Sequence, residues 1–137
     1  MRSRARTVAA IAFGVTALLG AGAGYAAYEY NRQQGIKDEV GALTGGDPDQ
    51  APALMARYGC SGCHTIPGVR GARGRVGPQL QQFASRVYIG GVVTNRPDHL
   101  VRWIVNPRAL SPKTAMPVTG ISEAEARHVA AYLLTLR

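Results

Sequence analysis

The sequence predicts an all-α protein: a small domain of three to five helices in its C-terminal part, with a transmembrane helix ahead of it. Three observations carry this reading. An uncharged run of 22 residues, 7–28, follows three arginines. Helix-start signals and helical apolar spacing recur at three places after residue 46, whereas the single alternating stretch, residues 88–94, is interrupted by Gly90 and Gly91. The connections 65–85 and 106–121 are long and lack periodicity, which in a compact domain calls for something other than sheet or helix at the centre. With 137 residues, 46% apolar and 18% charged, the chain is neither disordered nor wholly embedded in a membrane. Two cysteines exclude a disulfide scaffold and tandem zinc sites, and the length excludes a large multidomain enzyme.

Charge divides the chain into three segments. Residues 1–28 hold Arg2, Arg4 and Arg6 and no acid; residues 29–50 hold two basic and five acidic groups; residues 51–137 hold eleven basic and three acidic groups, a balance of +8. In the first, a helix over the 22 uncharged residues would be about 33 Å long, enough to cross a hydrocarbon core. Tyr25, Tyr28 and Tyr30 cluster at its far end, where amphipathic rings favour the headgroup zone. The arginines keep the N-terminus cytoplasmic, so the rest of the chain lies on the outer, periplasmic side of a bacterial cytoplasmic membrane. Ala21-Gly22-Ala23 also fits a cleavable signal peptide. The apolar run extends past that site, which favours a retained anchor, and either reading exports the domain.

The acidic segment, residues 29–50, reads as a linker containing Gly35, Gly41, Gly45 and Gly46 with little that could pack. An alternative extends the membrane helix through it to about Leu43. In the remaining domain, residues 51–137, the first helix is expected from about Asp49 to Tyr58, with Asp47 or Asp49 as N-cap and Pro52 in the first turn. A second is expected near residues 97–105, with Leu100, Val101, Trp103 and Ile104 apolar and Asp98 four before Arg102; Asn106-Pro107 stops it. The third opens on the capping box Ser122-Glu123-Ala124-Glu125, pairs Glu123 with Arg127, and buries Val129, Tyr132, Leu133 and Leu136.

Cys60-Ser61-Gly62-Cys63-His64 is the spacing of covalent haem attachment. Two thiols separated by two residues at the end of a helix reach two vinyl groups on one porphyrin edge, and the following histidine lies beneath the ring with Nε2 toward iron. A zinc site needs further ligands and no other cysteine exists. A redox dithiol belongs on a strand-to-helix turn of a βαβ unit, of which there is no sign. Met116, in a loop and fixed in extended backbone by Pro117, is the candidate sixth ligand, since a soft thioether stabilises ferrous iron. Met55, His99 and His128 are its weaker rivals.

Over residues 49–137 the chain resembles a class I c-type cytochrome. From Cys60 onward it is most similar to the cytochrome c domain fused to subunit II of bacterial haem–copper oxidases. The resemblance rests on Cys60–His64 with Thr65-Ile66, Gly77-Pro78-Gln79-Leu80, Ser85-Arg86, Gly91-Val92, the stretch from Leu100 to Ile104, Asn106-Pro107, Ala115-Met116-Pro117 and Ala130-Ala131-Tyr132-Leu133. It implies a small cytochrome c fold around one covalent haem c, with His64 and Met116 as axial ligands and the Pro78 carbonyl accepting the proximal Nδ1–H. Arg86 and Trp103 are candidates to hold the propionates. Arg96 stands where the family has a capping threonine, which would leave capping of the second helix to Thr94 or Asn95. No copper-binding domain is present, as both cysteines serve the haem.

The resemblance implies an electron carrier rather than an enzyme, passing single electrons to or within a haem–copper oxidase from an upstream quinol-linked donor. Neither nucleic acid nor a small-molecule substrate is expected. A haem enzyme or gas sensor would need an open sixth site, against which Met116 speaks. An assembly or structural subunit is the other alternative. The cluster Arg70, Arg73 and Arg75 reads as a docking or solvated face.

Overall fold

A computed structural model describes residues 2–137 and the side chains of residues 13–137. It falls into two compact units, Met1–Gly35 and Ile36–Arg137. The side chains of Arg2, Arg4 and Arg6 and of residues 7–12, on which the predicted membrane segment partly rests, lie outside the described ones. Among the described residues no helix is long and apolar enough to cross a membrane.

The first unit is helical throughout its described length, as part of α1, Arg2–Thr44. Phe13, Leu18 and Leu19 are exposed on it, and glycines 14, 20, 22 and 24 pack against nothing. Each such glycine costs a helix in water roughly 0.5–1 kcal/mol relative to alanine. Glu29 and Arg32, one turn apart, form an ion pair at 3.0 Å.

In the second unit, helices α2 (Ala51–Arg57), α4 (Pro97–Val105) and α6 (Glu123–Thr135) form the frame, with single-turn helices α3 (Cys60–Cys63) and α5 (Pro107–Leu110) between them. α2 and α4 both pack on α6. The core joins Met55 of α2, Leu100 and Ile104 of α4, and Val129 and Leu133 of α6 to Ile66, Leu80 and Phe83 from the loops. α6 begins with the predicted capping box, Ser122 Oγ accepting from Glu125 N and Glu125 Oε2 accepting from Ser122 N. Its buried face is wider than the predicted stripe. Ala126, Ala130 and Ala131 are fully buried, small enough to let neighbouring backbone close in, while Tyr132 and Leu136 are half-buried.

Residues 29–44 are helix, so the segment takes the second of the two alternatives, and its far end does pack. Val40 and Thr44 are each only 2% exposed. Thr44 Oγ1 donates to Val40 O at 2.7 Å, and Arg127 of α6 donates to Thr44 O at 3.0 Å, occupying a carbonyl left open at the helix end. Gly46 then lies so close to the backbone of Arg127 and His128 that no Cβ fits. Lys37 pairs with Asp49, Glu39 with Arg137, and Asp47 N donates to His128 Nδ1.

Asp47 caps a 3₁₀ turn, Pro48–Gln50, which runs into α2. The glycines expected to weaken a strand instead make a turn. Gly90 and Gly91, at φ +57° and +73°, join β1 (Tyr88–Ile89) to β2 (Val93–Thr94) in a two-stranded antiparallel hairpin. α4 occupies its predicted residues but is not capped as expected. Asn95 donates to Phe83 O and Arg86 O, Thr94 Oγ1 bonds His99 Nδ1, and the N-cap Arg96 receives no side-chain bond. Both polar groups are committed to tying the hairpin down. Asp98 likewise pairs with Arg96 rather than with the predicted Arg102.

Candidate haem site

α2 stops at Tyr58 because Gly59 turns left-handed at φ +73°, and the chain restarts as α3 on Cys60. That break sets the two cysteines one turn apart, both half-buried, with their thiols free. Burial pushes the Cys60 thiol above its ordinary value. The following loop is pinned to the back of the motif. Gly77 N donates to Cys63 O at 2.8 Å, Gly74 N to Ser61 O, Thr65 Oγ1 to Gly74 O, and Leu80 N to Thr65 O. At Gly74 a Cβ would strike the backbone of Gly62 and Cys63, so only glycine permits this approach.

The loop delivers the Pro78 carbonyl 2.7 Å from His64 Nδ1. A carbonyl can only accept, so Nδ1 carries the proton and the neutral ring's lone pair lies on Nε2. Gly77 sits against the same ring, where any Cβ would meet His64 Cε1, Nδ1 and Nε2. The imidazole is therefore held by a hydrogen bond on one nitrogen and by backbone against its edge.

A cavity of about 360 Å³ opens in front of it. Cys60, Cys63, His64 and Met116 all line it, together with Pro78, Arg86 and Trp103, so every site residue expected from the sequence converges there. The walls are apolar: Ile66, Leu80, Phe83, Leu100, Ile104 and Leu133. Met55 shares this cavity, whereas His99 and His128 do not line it. Two thiols, an imidazole with Nε2 available, a thioether and apolar walls are the donor set and surroundings of haem c, and the residues fit that group.

Two expected roles look different in detail. The Arg86 guanidinium donates to the carbonyls of Gln79 and Gln81 and lies over the Phe83 ring. It buttresses the segment just after Pro78. Trp103 packs edge-on against Gly90, where a Cβ would strike its ring. Tyr132, expected only as part of the buried stripe of α6, is a third support: its hydroxyl donates to Pro67 O at 2.6 Å and steadies the loop after His64. Tyr58, two residues before Cys60, donates to Glu125 Oε2 at 2.8 Å and so ties the motif's helix to the start of α6.

The cytochrome c family model matches residues 50–137, and the chain belongs to that family, whose members bind haem c covalently. It has the cytochrome c fold, and Cys60 and Cys63 supply the attachment pair. It is 30% identical over 105 residues to cytochrome c oxidase subunit 2 of Alkalihalophilus pseudofirmus, covering 76% of this chain and 30% of that one. It is 28% identical over 82 residues to cytochrome c oxidase subunit 2 of Bacillus sp. strain PS3, covering 57% of this chain and 23% of that one. The chain thus spans less than a third of the length of these curated relatives. No solved structure matches it.

Proposed function

We propose that this chain is a membrane-anchored, mono-haem electron carrier that delivers single electrons to a haem–copper oxidase outside the cytoplasmic membrane. The observation that carries the reading is the convergence of Cys60, Cys63, a His64 oriented by Pro78, and Met116 on one apolar cavity. His64 Nε2 and the Met116 sulfur would hold the haem iron, and thioethers formed by Cys60 and Cys63 would hold the porphyrin. Bound haem c supplies a one-electron couple. The protein's part is to present the His64 imidazole and the Met116 thioether to one cavity and to exclude water from it with the apolar walls.

Support for where a partner meets this site comes from the cavity's mouth. Val76 is 81% exposed and Tyr88 57%, and both line the opening; Val118, 52% exposed, follows Pro117 of the methionine loop. The side chains of Arg70, Arg73 and Arg75 on the preceding loop and of Lys113 have no ion-pair or hydrogen-bond partner among the described residues. An apolar mouth flanked by unpaired cations suits transient contact with an acidic partner surface, where charge speeds encounter more than it tightens binding. The similarity to oxidase subunit 2 supports the choice of acceptor.

Stopped-flow oxidation by purified haem–copper oxidase from low to high salt tests this. Fast oxidation that slows steeply with ionic strength is expected. A negligible rate at every salt concentration removes the oxidase and leaves the carrier. For the anchor, the uncharged run 7–28 supports retention in membranes until detergent is added. Recovery in the soluble periplasmic fraction, with an N-terminus near Gly24, would make that run a signal peptide.

A further inference from the structure

Helix α4 has two working faces. Leu100, Trp103 and Ile104 line the cofactor cavity, while Asp98, Val101, Arg102 and Val105, at helical spacing, line a second cavity of about 440 Å³. α5 adds Ala109 and Leu110, and the last turn of α1 adds Leu43, which stays 60% exposed beside it. The floor is apolar and the rim is charged.

The rim holds two acids and two arginines, but they do not all pair with one another. Glu123 pairs with Arg127 at 2.6 Å, and Arg127 also caps Thr44. Asp98 pairs with Arg96 at 3.6 Å and faces His99. Arg102 has no ion-pair or hydrogen-bond partner among the described residues. A segment that brings apolar bulk and a carboxylate would complement the apolar floor and the exposed Arg102 side chain. Carboxylates standing beside arginines on the rim argue against an anionic lipid surface, which Asp98 and Glu123 would repel, and suit a polypeptide segment that carries both kinds of group.

We propose that this cavity is a docking seat for an exposed segment of the oxidase partner, with one apolar side chain entering between Val101, Val105 and Leu110 and a neighbouring carboxylate pairing with Arg102. It rests on the oxidase reading above and deepens it. Contact here uses the face of α4 turned from the cofactor, so the domain is held on its partner while the mouth at Val76 and Tyr88 stays free for exchange. Lasting attachment and electron transfer then have separate surfaces.

The test is recovery of oxidase with the tagged full-length chain from membranes in mild detergent, read as oxidase haem a absorbance per haem c. Arg102→Glu and Leu43→Glu alter exposed side chains and leave the core intact. Each is expected to cut recovery about tenfold or more while the haem c spectrum and melting temperature stay as in the parent. Val76→Asp, at the mouth, is expected to slow oxidation and leave recovery unchanged. If the parent chain recovers oxidase and both cavity variants recover as much, the docking seat is overturned and the oxidase reading stands. If the parent recovers none, no lasting attachment exists and the docking seat is overturned, while the oxidase reading stands or falls on the stopped-flow oxidation alone. A parent dimer that Arg102→Glu converts to monomer, with recovery unaffected, would assign the cavity to a second copy of the chain and overturn the proposal.

Discussion

Replacing Gly77 with alanine tests the orientation of His64 most directly. The added methyl carbon would lie 2.3 Å from His64 Cε1 and 2.7 Å from Nδ1, against an ordinary contact of about 3.5 Å. Gly77 cannot retreat easily, because its own N–H is bonded to Cys63 O at 2.8 Å. The ring must yield by roughly 1.2 Å at Cε1, which carries the Nδ1–Pro78 bond from 2.7 Å toward the edge of hydrogen-bonding range. Losing that bond costs about 1 kcal/mol, and the off-rotamer ring about another. For a domain of this size, roughly 2 kcal/mol lowers the melting temperature by about 8–16 °C. An imidazole whose Nδ1–H is unbonded also donates less to a metal at Nε2, so the reduction potential rises. Thermal melting of the holoprotein and a redox titration read the two effects. A variant that melts within about 2 °C of the parent, at an unchanged potential, would refute the reasoning.

Met116→Ala is expected to abolish the sulfur-to-iron charge-transfer band, lower the potential and admit carbon monoxide; an unchanged spectrum would move the role to Met55, the other thioether on the cavity. Glu125 gives a pH dependence. Hydrogen bonds from the Ser122 hydroxyl, then Tyr58 and the Ser122 N–H, hold its carboxyl below the usual carboxylate range. A depressed folded value means stability that is present above the unfolded value, near 4.5, and lost as pH falls through the folded one. Denaturant unfolding should show the parent weakening, as pH falls below 4.5, more than Glu125→Gln does; parallel curves would remove Glu125 from that role.

What the sequence made legible is the chemistry that depends on spacing. The attachment motif, the histidine after it, the methionine loop and the capping box are all local patterns, and each lies where the spacing put it. Residues 36–46 were illegible because their partner is distant. Val40 and Thr44 have no apolar periodicity around them, and the group that holds Thr44, Arg127 of α6, comes more than eighty residues later. α5 is a single turn, too short to show a period. Thr94 and Asn95 failed as caps for a related reason: each had a tertiary partner, His99 or the Phe83 and Arg86 carbonyls, that local sequence does not reveal. Arg86 was recognised as part of the site, but its hold on the Gln79 and Gln81 carbonyls depends on a loop path no pattern encodes.

The contacts of Thr44 and Gly46 with α6 move the practical boundary of the domain. The family match begins at residue 50, yet the compact unit begins at Ile36. A soluble fragment started at the family boundary would strip Arg127 of its carbonyl and His128 of the Asp47 N–H, and would open to solvent the strip of α6 that Gly46 now covers. A fragment begun at Ile36 keeps that closure, so the excisable haem domain includes the last turns of the N-terminal helix.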